Sequence, residues 1–499
     1  MNFCKLGYLL FVIPCSMSNV FAQENNNNEV KASLKDSLNR FVAPTSSQDF
    51  KTVSLQELSN FQYDDRAVRE FPRIQRFADQ PLEQNIAQIP QRLTLQQAVH
   101  IALQRHPEIS QAVSALAGQN AAIDVARAAY YPQLSGGLST ADLTSGERGR
   151  QLMNLNATQL LYDFGKVKTN VSTEEARLLS EQADVLVQID DIAEQVAVSI
   201  VNIKRYQALV YVAQRQKVGI ARIAEIAQLR AQAGISSQAD PVQAQSYVEA
   251  AESNLIVQQT QLSIYQQKLR TLLGFAVDDI QWDIPEHLMS DLEQTSSFNI
   301  NDLPRMMVAH ADVEIAKLRT KQTQLSRYPT VNMKGSLSQA VNGRNPNNSQ
   351  DNGFYSSIML EANSHFYQGG ATGAQIRAAS FAEEAAKAKV NQIYLETMDR
   401  VRLIQAEVQN KKRQMNILTA RAATTARTKE LYQEQYKLGT RTVVDLLNAE
   451  QAIHSAAQEI ENVRYDIYSS VVQYIAATGK TRQLYQLNNT LIQGVEVKP

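Results

Sequence analysis

The chain has 499 residues with 49 basic and 50 acidic side chains, a formal net charge of −1, so no basic surface advertises nucleic acid. Glycine (19) and proline (13) are sparse while Ala and Gln abound, a composition that favours long helices. No stretch beyond the N-terminus approaches 18 consecutive apolar residues, so any membrane crossing has to be a β-barrel.

Residues 1–22 read as a signal peptide. Lys5 is the positive flank, Leu6 to Cys15 the short apolar run, and Val20-Phe21-Ala22 the small-residue cleavage site. The rival reading lipidates Cys15, but Pro14 directly before it fits that pattern poorly. Cleavage after Ala22 removes both cysteines and excludes disulfides and thiolate metal sites from the exported chain. Residues 23–92 lie outside the repeat that follows and read as an N-terminal extension, exported with the rest and packed on the main body. It opens with the polar run Asn25 to Asn28 and later offers Leu55, Leu58, Phe61, Val68, Phe71 and Ile74 as a face to bury.

From residue 93 the chain contains itself twice. Tyr162, Gly165, Gly234, Asp240, Ala244 and Gly274 recur 205 positions later as Tyr367, Gly370, Gly439, Asp445, Ala449 and Gly479. Tyr131-Pro132 recurs as Tyr328-Pro329, 197 positions on, so the second copy carries eight extra residues between those points. The copies span 93–274 and 301–479, with a linker at 275–300 and a tail at 480–499; each must be the same supersecondary unit. Thr94 with Gln97 has capping-box spacing, and Pro107 opens a second helix that Pro132 stops.

Two short runs follow in each copy, about 133–142 and 151–162, then 331–341 and 354–366, predicting β-hairpins over 133–162 and 331–366. Val331, Met333, Gly335 and Leu337 alternate with Asn332, Lys334, Ser336 and Ser338; Met153, Leu155, Ala157 and Leu161 oppose Asn154, Asn156 and Thr158. Strands of about ten residues with one apolar and one polar face suit an outer-membrane barrel. The next stretches, 166–233 and 374–438, hold one glycine (Gly219) and no proline. They predict helices about 100 Å long, returning after Gly234 and Gly439 as hairpins over 166–273 and 371–478. Val401, Ile404, Val408, Met415, Leu418 and Ala422 trace a coiled-coil seam broken by Lys411. Four strands per chain would leave open edges in lipid, so closure needs several copies; periodicity does not choose between two and three.

The run Tyr436-Lys437-Leu438-Gly439-Thr440-Arg441-Thr442-Val443-Val444-Asp445-Leu446-Leu447-Asn448-Ala449 resembles the second periplasmic turn of the TolC family of outer-membrane export ducts. The looser counterpart is Ala233-Gly234-Ile235-Ser236-Ser237-Gln238-Ala239-Asp240-Pro241, and the likeness extends over 93–480. The resemblance implies an α+β membrane protein: a homotrimer whose twelve-stranded β-barrel in outer-membrane lipid continues into a periplasmic helical barrel. It also implies an equatorial belt from 275–300 and the tail, a periplasmic adaptor, and an inner-membrane ABC or proton-driven pump. The cargo stays open between type I protein secretion and multidrug efflux. A soluble periplasmic coiled-coil scaffold is the rival of another class, but it leaves the duplicated alternating hairpins unexplained.

Carried over by position, the resemblance implies a gate network of Tyr436 and Arg441 with Asp240 opposite, and an acidic ring at Asp445. Asn448 stands where the family often has a second acid. Gly234 and Gly439 would mark adaptor-contacting turns. Simpler readings compete: Asp240 as an N-cap before Pro241, Thr442 with Asp445 as a capping box, and the glycines as plain turn formers. Nothing points to catalysis, a cofactor or a metal. Gly369-Gly370-Ala371-Thr372-Gly373 lacks phosphate-loop spacing, the six histidines are scattered, no nucleophile motif occurs, and Trp282 reads as a packing residue.

Overall fold

A computed structural model of the protein describes residues 61–63, 92–141, 150–285 and 298–497. The expected signal peptide and most of the expected 23–92 extension therefore lie outside the described residues.

The first copy opens with β2 (Arg92–Thr94), α1 (Leu95–Arg105) and α2 (Pro107–Ala128). Thr94 caps α1 through a reciprocal box with Gln97, and Pro107 occupies the first turn of α2. Strands β3 (Gln133–Ala141) and β4 (Arg150–Tyr162) follow, then α3 (Lys166–Gln232) and its return α4 (Ala239–Leu273). After β5 (Gln281–Asp283), the second copy repeats the order as α5 (Pro304–Leu325), β6 (Thr330–Asn342), β7 (Phe354–Asn363), α6 (Ala371–Lys437) and α7 (Val443–Ala477). The long helices have 67 residues in both copies and the returns 35 in both, so 1.5 Å per residue makes the former ~100 Å long. Strand β7 ends at Asn363, three residues short of the expected 366, and α6 begins at Ala371.

The two β-hairpins join into one antiparallel sheet of order β3-β4-β6-β7. Its register keeps two chemistries apart. On one face Leu134, Ala157, Gly335 and Ile358 lie in a row across all four strands, with Leu155 beside Leu337 and Met333 beside Leu360. On the other, Asn156, Ser336 and Ser357 are in register, Lys334 pairs with Glu361, and the hydroxyls of Ser336 and Ser357 bond at 2.7 Å. The apolar row stands open: Ile358 is 79 % exposed. Strands β3 and β7 each pair on one side only, leaving two free edges.

At the strand–helix joints Phe164 stacks on Tyr328 at 5.1 Å and meets Tyr162 edge-on at 4.8 Å. Lys166 Nζ donates to Tyr328 O and Thr330 Oγ1, pinning the first copy to the second.

Packing is then helix on helix. α3 lies against α4, α5 and α7, and α6 against α5 and α7. The α6 seam is real: Val401, Ile404, Val408 and Leu418 are buried against Val463, Ile467 and Val471 of α7. The charged break in it has a partner, since Lys411 donates to Asp466 at 2.7 Å and Arg205 reaches the other oxygen at 2.6 Å. The main core gathers α1, α2, the middle of α3, the end of α4 and Trp282, which is 2 % exposed. There β5 pairs in parallel with β2. The tail adds α8 (Thr481–Leu484) and the hairpin β8 (Thr490–Ile492) and β9 (Val495–Val497), whose outer edge takes β1 (Phe61–Tyr63) antiparallel. The extension thus contributes a strand to the tail.

Candidate gate at the helical tips

Both hairpins turn through the same device. Gly234 and Gly439 have φ of 72° and 77°, the left-handed region that glycine enters freely. Ile235 N–H donates to Arg230 O and Thr440 N–H to Gln435 O, the six-residue bond of a Schellman cap. A Cβ at either glycine would meet nothing within 4 Å, so backbone angle alone requires glycine there. The tips carry exposed apolar side chains, Ile235 at 65 % and Leu438 at 79 %.

Asp240 is not an N-cap. α4 starts at Ala239, whose N–H is accepted by Ser237 Oγ at 3.1 Å. Ser237 wins because its short hydroxyl reaches the second amide along, which leaves Asp240 in the first turn, where negative charge suits the helix dipole. Tyr436 is 5 % exposed, packed with Ile220, Ile223 and Ala227 of α3 and Val443, Leu446 and Leu447 of α7. Arg230 lies over its ring at 4.8 Å. Burial raises the Tyr436 phenol above its ordinary value; Asp240 adds to the rise and Arg230 opposes it. Its Oη has no hydrogen-bond partner among the described residues.

Arg441 points elsewhere. Its guanidinium lies 4.5 Å from the Tyr432 ring, Nε donates to Gln435 Oε1 at 3.1 Å, and Nη1 stands 3.9 Å from Asp445 Oδ1. Within one chain the structure brings Tyr436 near Asp240 and sets Arg441 beside Asp445; Arg441 and Asp240 form no ion pair. The Thr442–Asp445 box is present in both directions. Bonds from the Thr442 hydroxyl and backbone N–H hold the Asp445 carboxyl below its ordinary range, with Arg441 helping. Asn448 Oδ1 accepts from Tyr247 Oη of α4 at 2.9 Å, tying the two hairpins together.

One cluster has only half a signal in the sequence. Glu450 of α7 is 3 % exposed, with Lys429 Nζ at 2.5 Å and His454 Nε2 at 3.1 Å. Burial pushes its pKa up, but the His454 and Lys429 bonds together outweigh that and hold it below the ordinary glutamate value. Its carboxylate fills the notch at Gly219 of α3, where a Cβ would stand 1.9 Å from Oε1. The isolated glycine is visible in the sequence; the acid that needs the space lies 231 positions away and is not. Among the described residues no group of His, Cys, Asp and Glu is placed to hold a metal, and no helix is long and apolar enough to cross a membrane.

The outer membrane efflux protein family model matches residues 98–275 and 300–480, that is, both copies. The chain is 23 % identical over 406 residues to the outer membrane protein TolC of Escherichia coli, covering 76 % of this chain and 80 % of that one. It is 20 % identical over 375 residues to the outer membrane efflux protein BepC of Brucella suis, covering 72 % and 80 %. Among solved structures, the outer membrane protein VceC of Vibrio cholerae superposes with a TM-score of 0.66 at 17 % identity, over 77 % of this chain and 96 % of that one. The MtrE outer membrane channel of Neisseria gonorrhoeae gives 0.63 at 16 %, over 77 % and 88 %. With both copies matched and the fold shared with these channels, the chain belongs to the outer membrane efflux protein family.

Proposed function

We propose that three copies of this chain form the outer-membrane exit duct of a tripartite export machine, shut at its helical end until a periplasmic adaptor and an inner-membrane pump engage it. The observation that carries this reading is the two-faced sheet with two free edges, standing on helical hairpins ~100 Å long. An open sheet with a lipid-facing apolar row leaves unpaired edge amides in hydrocarbon, and ring closure with further copies removes them. Four strands from each of three chains make a barrel wide enough for passage. The helices ask for the same closure. α3 of the first copy packs on α7 of the second, whereas the repeat-related partners α4 and α6 leave Ile256, Val257, Leu403 and Leu431 exposed. A neighbouring copy supplies the missing α4–α6 contact by the same geometry.

In that ring Arg441, two-fifths exposed, reaches out of its own chain towards Asp240 of a neighbouring copy, and Tyr436 backs the tip from within its own chain, its buried Oη without a partner among the described residues. Asp445 and Asn448 line the narrowest turn, and Gly234 and Gly439 present the tips to the adaptor. The linker and tail around β5, α8 and β9 form the belt at the helical midriff. Energy comes from the pump. Passage is open to unfolded protein and to small molecules alike.

Planar-bilayer conductance of the detergent-extracted protein tests the proposal. Small wild-type currents that grow in Arg441→Ala support both duct and gate. Wild-type currents that Arg441→Ala leaves unchanged keep the duct and remove this gate. Recovery of the wild-type protein in the soluble periplasmic fraction sinks the duct.

A further inference from the structure

The eight residues by which the second copy exceeds the first fall in the β6–β7 hairpin, and they are not a slack connection. Residues 343–353 are folded around Asn345, which is wholly buried. Its Nδ2 donates to Gly353 O at 2.8 Å and to Ser338 O and Oγ at 3.2 Å. Its own N–H donates to Gln350 O at 2.8 Å and its carbonyl accepts from Ser349 N–H at 2.8 Å. Asn347 Nδ2 reaches Ser338 Oγ at 2.9 Å, Asn348 Nδ2 reaches Phe354 O at 2.8 Å, and Arg344 bridges to Asp351. Gly343 at φ 83°, Ser349 at 58° and Asn352 at 51° hold the left-handed corners that this compact path needs. A loop that satisfies its own backbone in this way keeps one shape without a partner.

Its position carries the argument. Along β6 the polar face continues to Ser338 and Ala340, and among the strand's described side chains these two are the buried ones, at 4 % and 0 % exposure. On the opposite face Met333, Leu337 and Val341 stay open at 41 %, 41 % and 56 %. Among the described residues the loop is what meets Ser338, through Asn345 and Asn347. It has folded down onto the face that carries Asn332, Lys334, Ser336 and Glu361.

In a barrel closed as proposed above, on which this inference rests, that face is the lumen. We infer that residues 343–353 form an inward-folded lid at the outer end of the duct, anchored by Asn345, which sets the size of what can leave. Each copy contributes one lid, so the outer mouth is narrowed independently of the helical tips at the far end. A lid of this kind selects cargo by width. Folded or bulky solutes are refused from outside, and an extended chain or a small molecule passes with little movement.

Polymer exclusion from one side of a planar bilayer tests this. Polyethylene glycols of increasing mass are added on the barrel side, and the largest that still lowers conductance marks the width of that mouth, whatever the state of the helical tips. The variants replace 343–353 by Asn-Gly, or carry Asn345→Ala in the full-length loop. The second keeps every strand and covers the case in which the shortened hairpin fails to insert. The expected result is a shift of the cut-off to larger polymers in both variants, with the cut-off from the helical side unchanged. A barrel-side cut-off equal to wild type in a conducting Asn345→Ala channel overturns the lid and leaves the duct standing. Absence of any channel from wild type overturns both.

Discussion

Gly219 and Gly118 both sit inside helices, yet alanine at the two sites should move stability in opposite directions. In an unencumbered helix interior, Gly→Ala gains about 1 kcal/mol. Gly118, in α2, has nothing within 4 Å of the added methyl, so Gly118→Ala should realise that gain. At Gly219 the methyl would stand 1.9 Å from Glu450 Oε1 and 2.9 Å from Cδ. A carboxylate tip at a protein surface swings away from such a contact cheaply. Glu450 is 3 % exposed and tethered at 2.5 and 3.1 Å, so it can retreat only by loosening Lys429 or His454. Losing one hydrogen bond to a buried charge costs about 1.5–3 kcal/mol, and the helix gain offsets about 1 of that. Gly219→Ala should therefore destabilise by about 0.5–2 kcal/mol. The measurement is the helical circular-dichroism midpoint of the three proteins, heated at one fixed rate in detergent because such assemblies unfold irreversibly. Gly118→Ala should melt above wild type and Gly219→Ala below it. In a Glu450→Ala background the Gly219→Ala change should turn favourable, since the two sites are coupled by contact. Equal upward shifts at both glycines in the wild-type background would refute the claim that Glu450 is held in its notch.

The buried Asp190 gives a second handle, of opposite sign to an ordinary ion-paired acid. Burial, against a partial offset from Arg482, raises its pKa from 3.8 to about 7. The folded form then binds the proton more tightly than the unfolded, so stability is full below 3.8 and falls as pH rises towards about 7. The limiting slope is about 1.4 kcal/mol per pH unit, and Asp190→Asn should flatten it; an unchanged melting-versus-pH profile in the variant would refute the assignment. Tyr436→Phe should melt at or above wild type, because it removes a buried hydroxyl that has no partner among the described residues. A rise in conductance in that variant keeps the hydroxyl in the gate, and unchanged conductance removes it. Ile358→Arg and Ser357→Arg, adjacent in β7 but on opposite faces, should separate lipid from lumen. Arginine on the lipid face costs about 2–4 kcal/mol near mid-membrane, so outer-membrane recovery should drop for Ile358→Arg alone. Equal loss for both would contradict the facing of the sheet.

The helical hairpins are legible in the sequence because their determinants are local. Proline and glycine are missing over long stretches, apolar residues keep a 3-4 spacing at Val401, Ile404 and Val408, and single glycines mark the turns. The strands are legible for the same reason, since Asn332 to Ser338 alternate with period two. The joining of β4 to β6 is not legible: it is a pairing of two edges some 180 residues apart in the chain, and either hairpin alone satisfies its own pattern. The site divides in the same way. Thr442 and Asp445 are three apart and declare their box, whereas Arg230 over Tyr436 and Tyr247 on Asn448 depend on how two hairpins lie against each other. Asp240 shows the limit of local rules. Asp before Pro is a good N-cap pattern, but Ser237 stands earlier and takes the first free amides of the helix.

The duplication preserves every helix length at the tips and almost none of the chemistry there. Aligned at the 205-residue offset, Lys429, Tyr432, Tyr436 and Arg441 of the second copy face Ala224, Ala227, Ala231 and Ser236 in the first, and Glu450 and His454 face Gln245 and Glu249. The difference is complementary. Small residues on α3, with Ala227 at 0 % and Ala231 at 4 % exposure, leave room for the bulk of Tyr436, Leu446 and Leu447 from the second hairpin. Gly219 is the extreme of the same trend, a helix residue reduced to nothing so that a carboxylate fits. Two identical copies would bury large against large and overpack. One copy has become the floor and the other the piece that rests on it. Any displacement of the second hairpin must therefore draw Glu450 out of the Gly219 notch, slide Tyr436 from under Arg230 and break the Tyr247–Asn448 bond together. Contacts that fail together give two discrete positions rather than a continuum, which is the mechanical property that a gate at these tips requires.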